Sequence, residues 1–352
     1  MNEDILLSVI IPVYNTEKYF ERCIKSVIDA VQKNSAKSEI IVINDGSCGN
    51  IEELIKKYLV DYGNLIVYIS QKNKGRGATR NLGVAKARGK YINFVDSDDY
   101  IDENMYVNMF EKIKEERSDI VICDIKNVEK DNCFRVEAKN IKIVEDNIGC
   151  FDTMILPSCC NKIIRRELFD NVEFPEDINY EDLATIPYIY LKAKKISYLP
   201  EMLYNYVQND ESVMNEKFGI NQLNLINALE LVCDRIKTLN LSDRECQKFE
   251  YMIYTRRFYE ELLEKIMLSE NKKNLIKEFC FRIQNLERRF SNNLYFNALI
   301  NSQRNIKRLG SKFLHKAIRK KEYKLLSIFL TKSLYYRYFA IRYTTKNIIE
   351  GE

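Results

Sequence analysis

Between Leu6 and Cys123 the chain alternates short apolar runs, rich in Val and Ile, with longer stretches whose apolar side chains recur every three or four residues. The short runs Leu6 to Ile11, Glu39 to Ile43, Leu65 to Ile69, Tyr91 to Val95 and Asp119 to Cys123 predict strands, and the longer stretches predict helices. Such alternation implies right-handed βαβ units, hence an α/β fold with a mostly parallel, Rossmann-like sheet flanked by helices, whose ligands sit at the carboxyl ends of the strands. Polar clusters follow four of the strands: Pro12-Val13-Tyr14-Asn15, Asn44-Asp45-Gly46-Ser47, Gln71 to Gly77, and Asp96-Ser97-Asp98-Asp99. All four are expected to line one crevice. Residues 216–352 read helical, with almost no Gly or Pro.

The acid run after Val95 carries the sharpest chemistry. Asp96 and Asp98 are one residue apart, so where the strand persists they face the same way and can reach one hard divalent cation or its ligand. Mg²⁺ or Mn²⁺ held by one or two carboxylates completes its shell with water and phosphate oxygens, which points to a nucleoside diphosphate. Taken alone, the same run reads equally as a solvated turn or a helix cap.

These motifs, in this order, resemble family 2 glycosyltransferases of the GT-A fold. The resemblance rests on Val9-Ile10-Ile11-Pro12-Val13-Tyr14-Asn15, Asn44-Asp45-Gly46-Ser47, Asn73 through Gly83 with Ala78, Arg80 and Asn81, and Gly89-Lys90-Tyr91 leading into the acid run. It continues through Asn161-Lys162, Arg165 to Phe169, the segment Phe174 to Asp182, and Leu203-Tyr204-Asn205-Tyr206 before Ser212, covering about residues 5–215. It implies a catalytic domain over 1–215, with a nucleotide-binding half at 1–125 and an acceptor half at 126–215, followed by a helical domain at 216–352. The expected activity is metal-dependent, inverting transfer of a hexosyl or N-acetylhexosaminyl group from a nucleotide sugar, UDP foremost, to a saccharide or lipid-linked saccharide hydroxyl in bacterial cell-surface polysaccharide synthesis.

Chemistry and resemblance together assign roles. Pro12 and the aromatic face of Tyr14 are expected at the base of the nucleotide, and Asp45 can accept from a base imide or a ribose hydroxyl. Arg80, in a helix that starts at Gly75-Arg76-Gly77, can face diphosphate oxygens. Lys72, Lys74 and Arg76 read as solvated charges. The resemblance gives Asp96 to the nucleotide and Asp98 to Mn²⁺ or Mg²⁺, while Asp99 reads as a cap for a helix beginning near Asp102. Inverting transfer needs a base on the acceptor side, and the family pattern makes it Asp182, with Glu181 positioning the acceptor. As bare residues the pair would serve equally as first-turn acids favoured by the helix dipole.

Three positions depart from the pattern. Val207 and Asn209 stand where many relatives carry Arg and His, and Asn44 stands where they carry the first of two Asp. Asn209, Asp210 or water would then substitute for a histidine metal ligand, since the one histidine of the chain is His315. A nucleotidyltransferase would want a Gly-rich basic loop after the first strand, which Pro12 to Asn15 is not. A non-catalytic carbohydrate- or membrane-binding protein that kept the fold is the alternative from outside enzymes.

Ten cysteines without any Cys-x-x-Cys spacing suggest neither zinc nor a disulfide framework, and reduced thiols fit a cytoplasmic protein. No signal peptide or spanning segment is evident, so the transferase is expected to be soluble. The net charge of +4 hides an asymmetry: residues 301–347 hold thirteen Lys or Arg against Glu322 alone. With aromatic and aliphatic residues at helical spacing, this tail suits an anionic membrane surface on the inner face of the cell membrane, or equally a bundle face packed on the catalytic domain. No nucleic-acid motif accompanies the charge.

Overall fold

The apolar runs form the strands they predict. In the computed structural model, which describes residues 5–128, 133–134, 157–208, 219–253 and 271–282 with single positions between 262 and 294, the chain divides into two units, Met1–Asn215 and Glu216–Glu352. The basic segment 301–347, His315, Asn209, Asp210 and Ser212 lie outside the described residues.

In the first unit β1 (Leu7–Val13), β2 (Ser38–Asp45), β3 (Ile66–Gln71) and β4 (Tyr91–Phe94) are joined by α1 (Glu17–Lys33), α2 (Ile51–Tyr62) and α3 (Gly75–Lys86). They pair in parallel in the order β3-β2-β1-β4. Then follow β5 (Tyr100–Ile101), α4 (Met105–Glu116), β6 (Ile120–Asn127), β7 (Cys133–Phe134), β8 (Lys162–Arg165), α5 (Glu181–Lys192) and β9 (Ile196–Tyr206). Here the sheet departs from the expected parallel pattern. It continues β4-β8-β6-β9-β5, and although β6 and β9 are parallel, β8 runs antiparallel to both β4 and β6, β5 to β9, and β7 to β6.

The core explains the apolar runs: Val9, Ile10, Ile11, Ile40 to Ile43, Ile92 and Phe94 are fully buried. α1 adds Phe20, Cys23, Ile24, Val27, Ile28 and Val31, a single stripe at helical spacing. At the amino end of the strands, buried Glu39 accepts from Ser8 Oγ at 2.7 Å and from the backbone N, Nε and Nη2 of Arg88 at 2.7, 2.8 and 2.6 Å. This closed network holds β1, β2 and the turn before β4 together, leaving the carboxyl ends as the open side.

In the second unit α6 (Asn224–Ile236) buries Leu225, Ile226, Leu229, Val232, Cys233 and Ile236. It is followed by α7 (Asp243–Ile253) and α8 (Lys272–Arg282), and Arg282 Nη1 donates to Asn224 Oδ1 at 2.9 Å. Among the described residues no helix is long and apolar enough to cross a membrane.

α3 lies close on β1 because Gly83 has no side chain: a Cβ there would fall 2.4 Å from Cγ2 of the buried Ile10. Alanine favours a helix interior by up to about 1 kcal/mol over glycine, but overpacking a dense core costs about 1–3 kcal/mol. The clash wins, so Gly83→Ala should lower the urea midpoint by an amount worth about 1 kcal/mol. A midpoint at or above wild type would show that the helix can move off the sheet freely.

Candidate functional site

Each carboxyl-end loop is held by bonds that its own sequence provides. After β1, Tyr14 is 48% exposed and Asn15 sits at φ 51°, a left-handed conformation that Asn tolerates better than most residues. Asn15 N donates to Ser47 Oγ at 3.1 Å, and Cys48 N donates to Asn15 Oδ1 at 3.0 Å. After β2, Asn44 Oδ1 accepts from Ser47 N at 2.9 Å, a turn bond that an Asn side chain makes readily. Gly46, at φ 76°, passes so close to the next loop that a Cβ would fall 2.7 Å from Asn73 N.

Asp45 is buried at the junction of these loops. Its Oδ1 accepts from Gln71 Nε2 at 2.8 Å and Lys74 N at 2.9 Å, and its Oδ2 accepts from Gly75 N at 2.9 Å. The carboxylate thus satisfies backbone amides at the start of α3, where no intrahelical partner exists. Gln71 also reaches Thr79 Oγ1 at 3.1 Å, so β3 and α3 are bound to one another across the loop.

The acid run is clamped from two sides. From α1, Thr16 Oγ1 and Ser97 Oγ stand 2.7 Å apart. Arg22 Nη2, stacked 4.7 Å from the Tyr100 ring, donates to the Asp98 carbonyl at 3.1 Å. From β9, the Tyr204 hydroxyl accepts from Asp96 N at 3.3 Å and donates to Asp99 Oδ2 at 2.6 Å, while Val207 N donates to Asp99 Oδ1 at 2.8 Å. Asp99 therefore does not cap a helix near Asp102. α4 starts at Met105, and Asp99 is a buried anchor that fastens the end of β9 beneath the acid turn. Burial, with Asp96 and Asp98 nearby, pushes its proton affinity well up. Val207 is buried and contributes its backbone amide. Asp98 is half-buried at the rim.

The chemical centre is a four-charge junction. Arg80 and Glu181, 101 residues apart, have side chains only 4% exposed and are hydrogen-bonded through Arg80 Nη1. Arg80 Nη2 donates to Asp96 Oδ1 at 3.0 Å, and Cys160 Sγ donates to Asp96 Oδ2 at 3.1 Å. Arg76, half-exposed, brings Nε to 3.4 Å from Glu181 Oε1. It is thus not an isolated solvated charge, although it keeps access to water. Burial alone would lower the Arg80 guanidinium, yet Glu181 and Asp96 hold it well above its ordinary value. Burial likewise would raise Glu181 and Asp96, but the arginines hold both carboxyls below theirs. Magnitudes separate the two arginines: stranding a buried charge costs about 3–5 kcal/mol, whereas a solvent-facing pair is worth about 0–1 kcal/mol. Arg80 is therefore much the costlier of the two to displace.

What brings Glu181 to Arg80 is a clamp on α3. Asn81 Nδ2 donates to Phe174 O at 2.9 Å and Phe174 N donates to Asn81 Oδ1 at 2.8 Å. Gly77 lets the segment close in, since a Cβ there would fall 2.1 Å from Pro175 O. The Arg80 guanidinium lies 5.9 Å and 6.0 Å from the Phe174 and Phe94 rings, which meet edge to face at 5.6 Å. Tyr180 then turns the chain into α5 at φ 77°, a left-handed conformation costly for tyrosine.

Asp182, on the first turn of α5, is half-buried, and its Oδ1 accepts from Leu183 N at 2.7 Å. Burial and the neighbouring Glu181 raise its affinity for a proton. Below lies Lys162, fully buried, donating to the Ser158 carbonyl and to Asn161 Oδ1 at 2.6 Å, with burial pushing its ammonium down to about 8. Asn93 ties this floor to β4, donating to the carbonyls of Cys160 and Lys162 at 3.0 and 2.8 Å.

The structure thus gathers Asp45, Arg80, Asp96, Asp98, Glu181 and Asp182 at one end of the sheet, with Pro12 and Tyr14 ending β1 at the same side. Sequence reasoning gave no role to Arg76, Cys160, Tyr204 or Lys162. Only Arg76 carried a usable signal, its spacing of four from Arg80 on one helix face. Among the described residues no three metal-ligating side chains stand together. A rim carboxylate such as Asp98 nevertheless fits Mg²⁺ or Mn²⁺, which take one or two carboxylates and draw further oxygens from phosphate.

Residues 8–173 match the family model described as glycosyl transferase family 2. The chain is 29% identical over 301 residues to the glycosyltransferase GlyG of Streptococcus pneumoniae, covering 79% of this chain and 95% of that protein. It is 30% identical over 258 residues to a poly(ribitol-phosphate) beta-glucosyltransferase of Bacillus spizizenii, covering 72% of this chain but 40% of that longer protein. The crystal structure of S. aureus TarS 1-349 in complex with UDP-GlcNAc superposes with a TM-score of 0.75 at 20% identity, covering 94% of this chain and 91% of that one.

The junction makes a stability prediction. Arg80→Met keeps the stem but leaves Glu181 and Asp96 uncompensated, so chemical denaturation at neutral pH should show a loss of about 3–5 kcal/mol. Wild-type stability in that variant would mean that the two carboxylates find other partners.

Proposed function

The chain belongs to glycosyl transferase family 2, and from that premise we propose that its crevice moves a sugar from a UDP-sugar to an acceptor hydroxyl with inversion at the anomeric carbon. The observation that carries this reading is the pair of acid centres, Asp96 with Asp98 and Glu181 with Asp182, joined through Arg80. A donor diphosphate beside the acid run would lie on one side of Arg80 and an acceptor beside Asp182 on the other.

In this mechanism Tyr14 faces the base of the nucleotide, Pro12 shapes the loop behind it, and Asp45 orders the loop at the ribose end. Arg80 supplies positive charge where the diphosphate gains negative charge, in a water-poor site where such a field acts strongly. The acceptor oxygen attacks the anomeric carbon as its proton passes to the Asp182 carboxylate. The bond from that carbon to the phosphate oxygen breaks with its electron pair, releasing the nucleoside diphosphate. A raised proton affinity suits a base that must take a hydroxyl proton in the transition state. Glu181 acts by holding Arg80 and by its charge on Asp182. Asp98 would hold Mn²⁺ or Mg²⁺, which when bound neutralises diphosphate charge. The relatives that act on poly(ribitol-phosphate) and bind UDP-GlcNAc support a cell-surface polymer as acceptor and a UDP-sugar as donor.

Asp98→Asn should remove most turnover and abolish the Mn²⁺ dependence of UDP binding measured by calorimetry. Full wild-type turnover in EDTA would reject the metal role.

Asp182→Asn should lower kcat by roughly 10²-fold or more while leaving donor affinity unchanged. The base works only when ionised, so the acid limb of wild-type kcat should lie above the pH of an ordinary aspartate. Glu181→Gln removes the negative neighbour and should move that limb down. A limb that stays put in Glu181→Gln, or loss of donor binding in Asp182→Asn equal to the loss of turnover, would overturn these roles.

A further inference from the structure

Two arginines one turn apart on α3 approach the same carboxylate, yet they are held differently. Arg80 is almost fully buried, and its two terminal nitrogens donate to Glu181 and Asp96. Among the described residues its Nε has no hydrogen-bond partner, and the guanidinium is packed near the rings of Phe94 and Phe174. A ligand that pulled Arg80 outward would strand two carboxylates, one of them deeply buried. Arg76 is half-exposed and, among the described residues, makes one long ion pair, Nε to Glu181 Oε1 at 3.4 Å. If Arg76 leaves, Glu181 keeps Arg80.

The surrounding backbone favours an anion on the same side. α3 spans twelve residues and begins at Gly75 (φ 87°), with no acid in its first turn. Asp45 fixes that start by accepting from Lys74 N and Gly75 N. A guanidinium on the first turn of such a helix adds its charge to the positive end of the helix dipole, and its planar fork matches two phosphate oxygens.

We infer that Arg76 is the exchangeable guanidinium of this site, resting on Glu181 when no donor is bound and swinging to the diphosphate of the nucleotide when one is. This deepens the donor-binding reading and rests on it. Arg80 stays with Asp96 and Glu181 throughout, so it sets the field while Arg76 makes the direct contact. The exchange carries Arg76 from one anion to another and leaves no buried charge unpaired.

The test is calorimetric titration of the full-length protein, in Mn²⁺ buffer, with UDP and separately with uridine, which has no phosphates. Arg76→Ala should weaken UDP binding roughly tenfold, as expected for loss of one charge-assisted contact. Uridine binding should be unchanged. Arg76→Lys keeps the charge without the fork and should fall between. Lys72→Ala, which removes the same charge from an exposed neighbouring position, should change UDP affinity less than twofold. Equal UDP affinity in wild type and Arg76→Ala overturns the inference, as does equal loss of UDP and uridine binding. A fall in turnover at unchanged UDP affinity would make Arg76 a support for Glu181 only, and would also overturn it. Wild-type protein that binds neither UDP nor uridine would sink the donor reading together with this inference.

Discussion

The rest of the site depends on one buried guanidinium. Arg80 reaches Asp96 at the end of the parallel strands and Glu181 at the head of α5, so it joins these two parts of the first unit through a single planar group. Burying such a cluster brings little net stability by itself, because desolvation offsets most of the attraction. What it brings is geometry. Each carboxylate is held at a set distance from the same group, and the charge left on Glu181 acts on Asp182 beside it. The aromatic wall of Phe94, Phe169 and Phe174 keeps water away from one side, with ring centroids 5.6 to 6.0 Å apart.

A second constraint comes from β9. Because β5 is only two residues long and pairs with Tyr204 and Asn205, the acid turn is stitched to a strand that lies three positions beyond β4 in the sheet. Tyr204 then reads both the backbone of Asp96 and the side chain of Asp99. The third acid of the run is spent on this attachment, which leaves Asp98 as the carboxylate at the rim.

The parallel half of the fold was legible because strands buried on both faces are mostly apolar, and β1 and β2 show unbroken runs at Val9 to Ile11 and Ile40 to Ile43. The strands that escaped were β5, β7 and β8, each two to four residues long and too short for periodicity to announce, and β9, whose apolar pattern is broken by Pro200 and Glu201 where its register against β6 shifts. Among the site residues, Asp45 and Asp182 stood out by motif, but their partners did not. The bonds of Asp45 go to backbone amides that any sequence would offer. Glu181 meets Arg80 across 101 residues, a distance over which neither spacing nor charge pattern carries information. Arg76 looked like solvent-facing charge because half of it is, and only the fold shows what the other half touches.

The clamp at Asn81 has a consequence for how this scaffold can change. Between Phe174, held through its backbone by Asn81, and Tyr180, the turn into α5, run Pro175, Glu176, Asp177, Ile178 and Asn179. Both ends of this interval are fixed, one by main-chain bonds and the other by a backbone turn. Its own side chains are therefore freed from the task of placing Asp182. Five consecutive positions beside Asp182 can be rewritten at constant length while that carboxylate stays in register. With Asp182 as the proposed base, this interval is a cassette, and descendants of one ancestor could acquire new acceptors by editing it without moving that carboxylate.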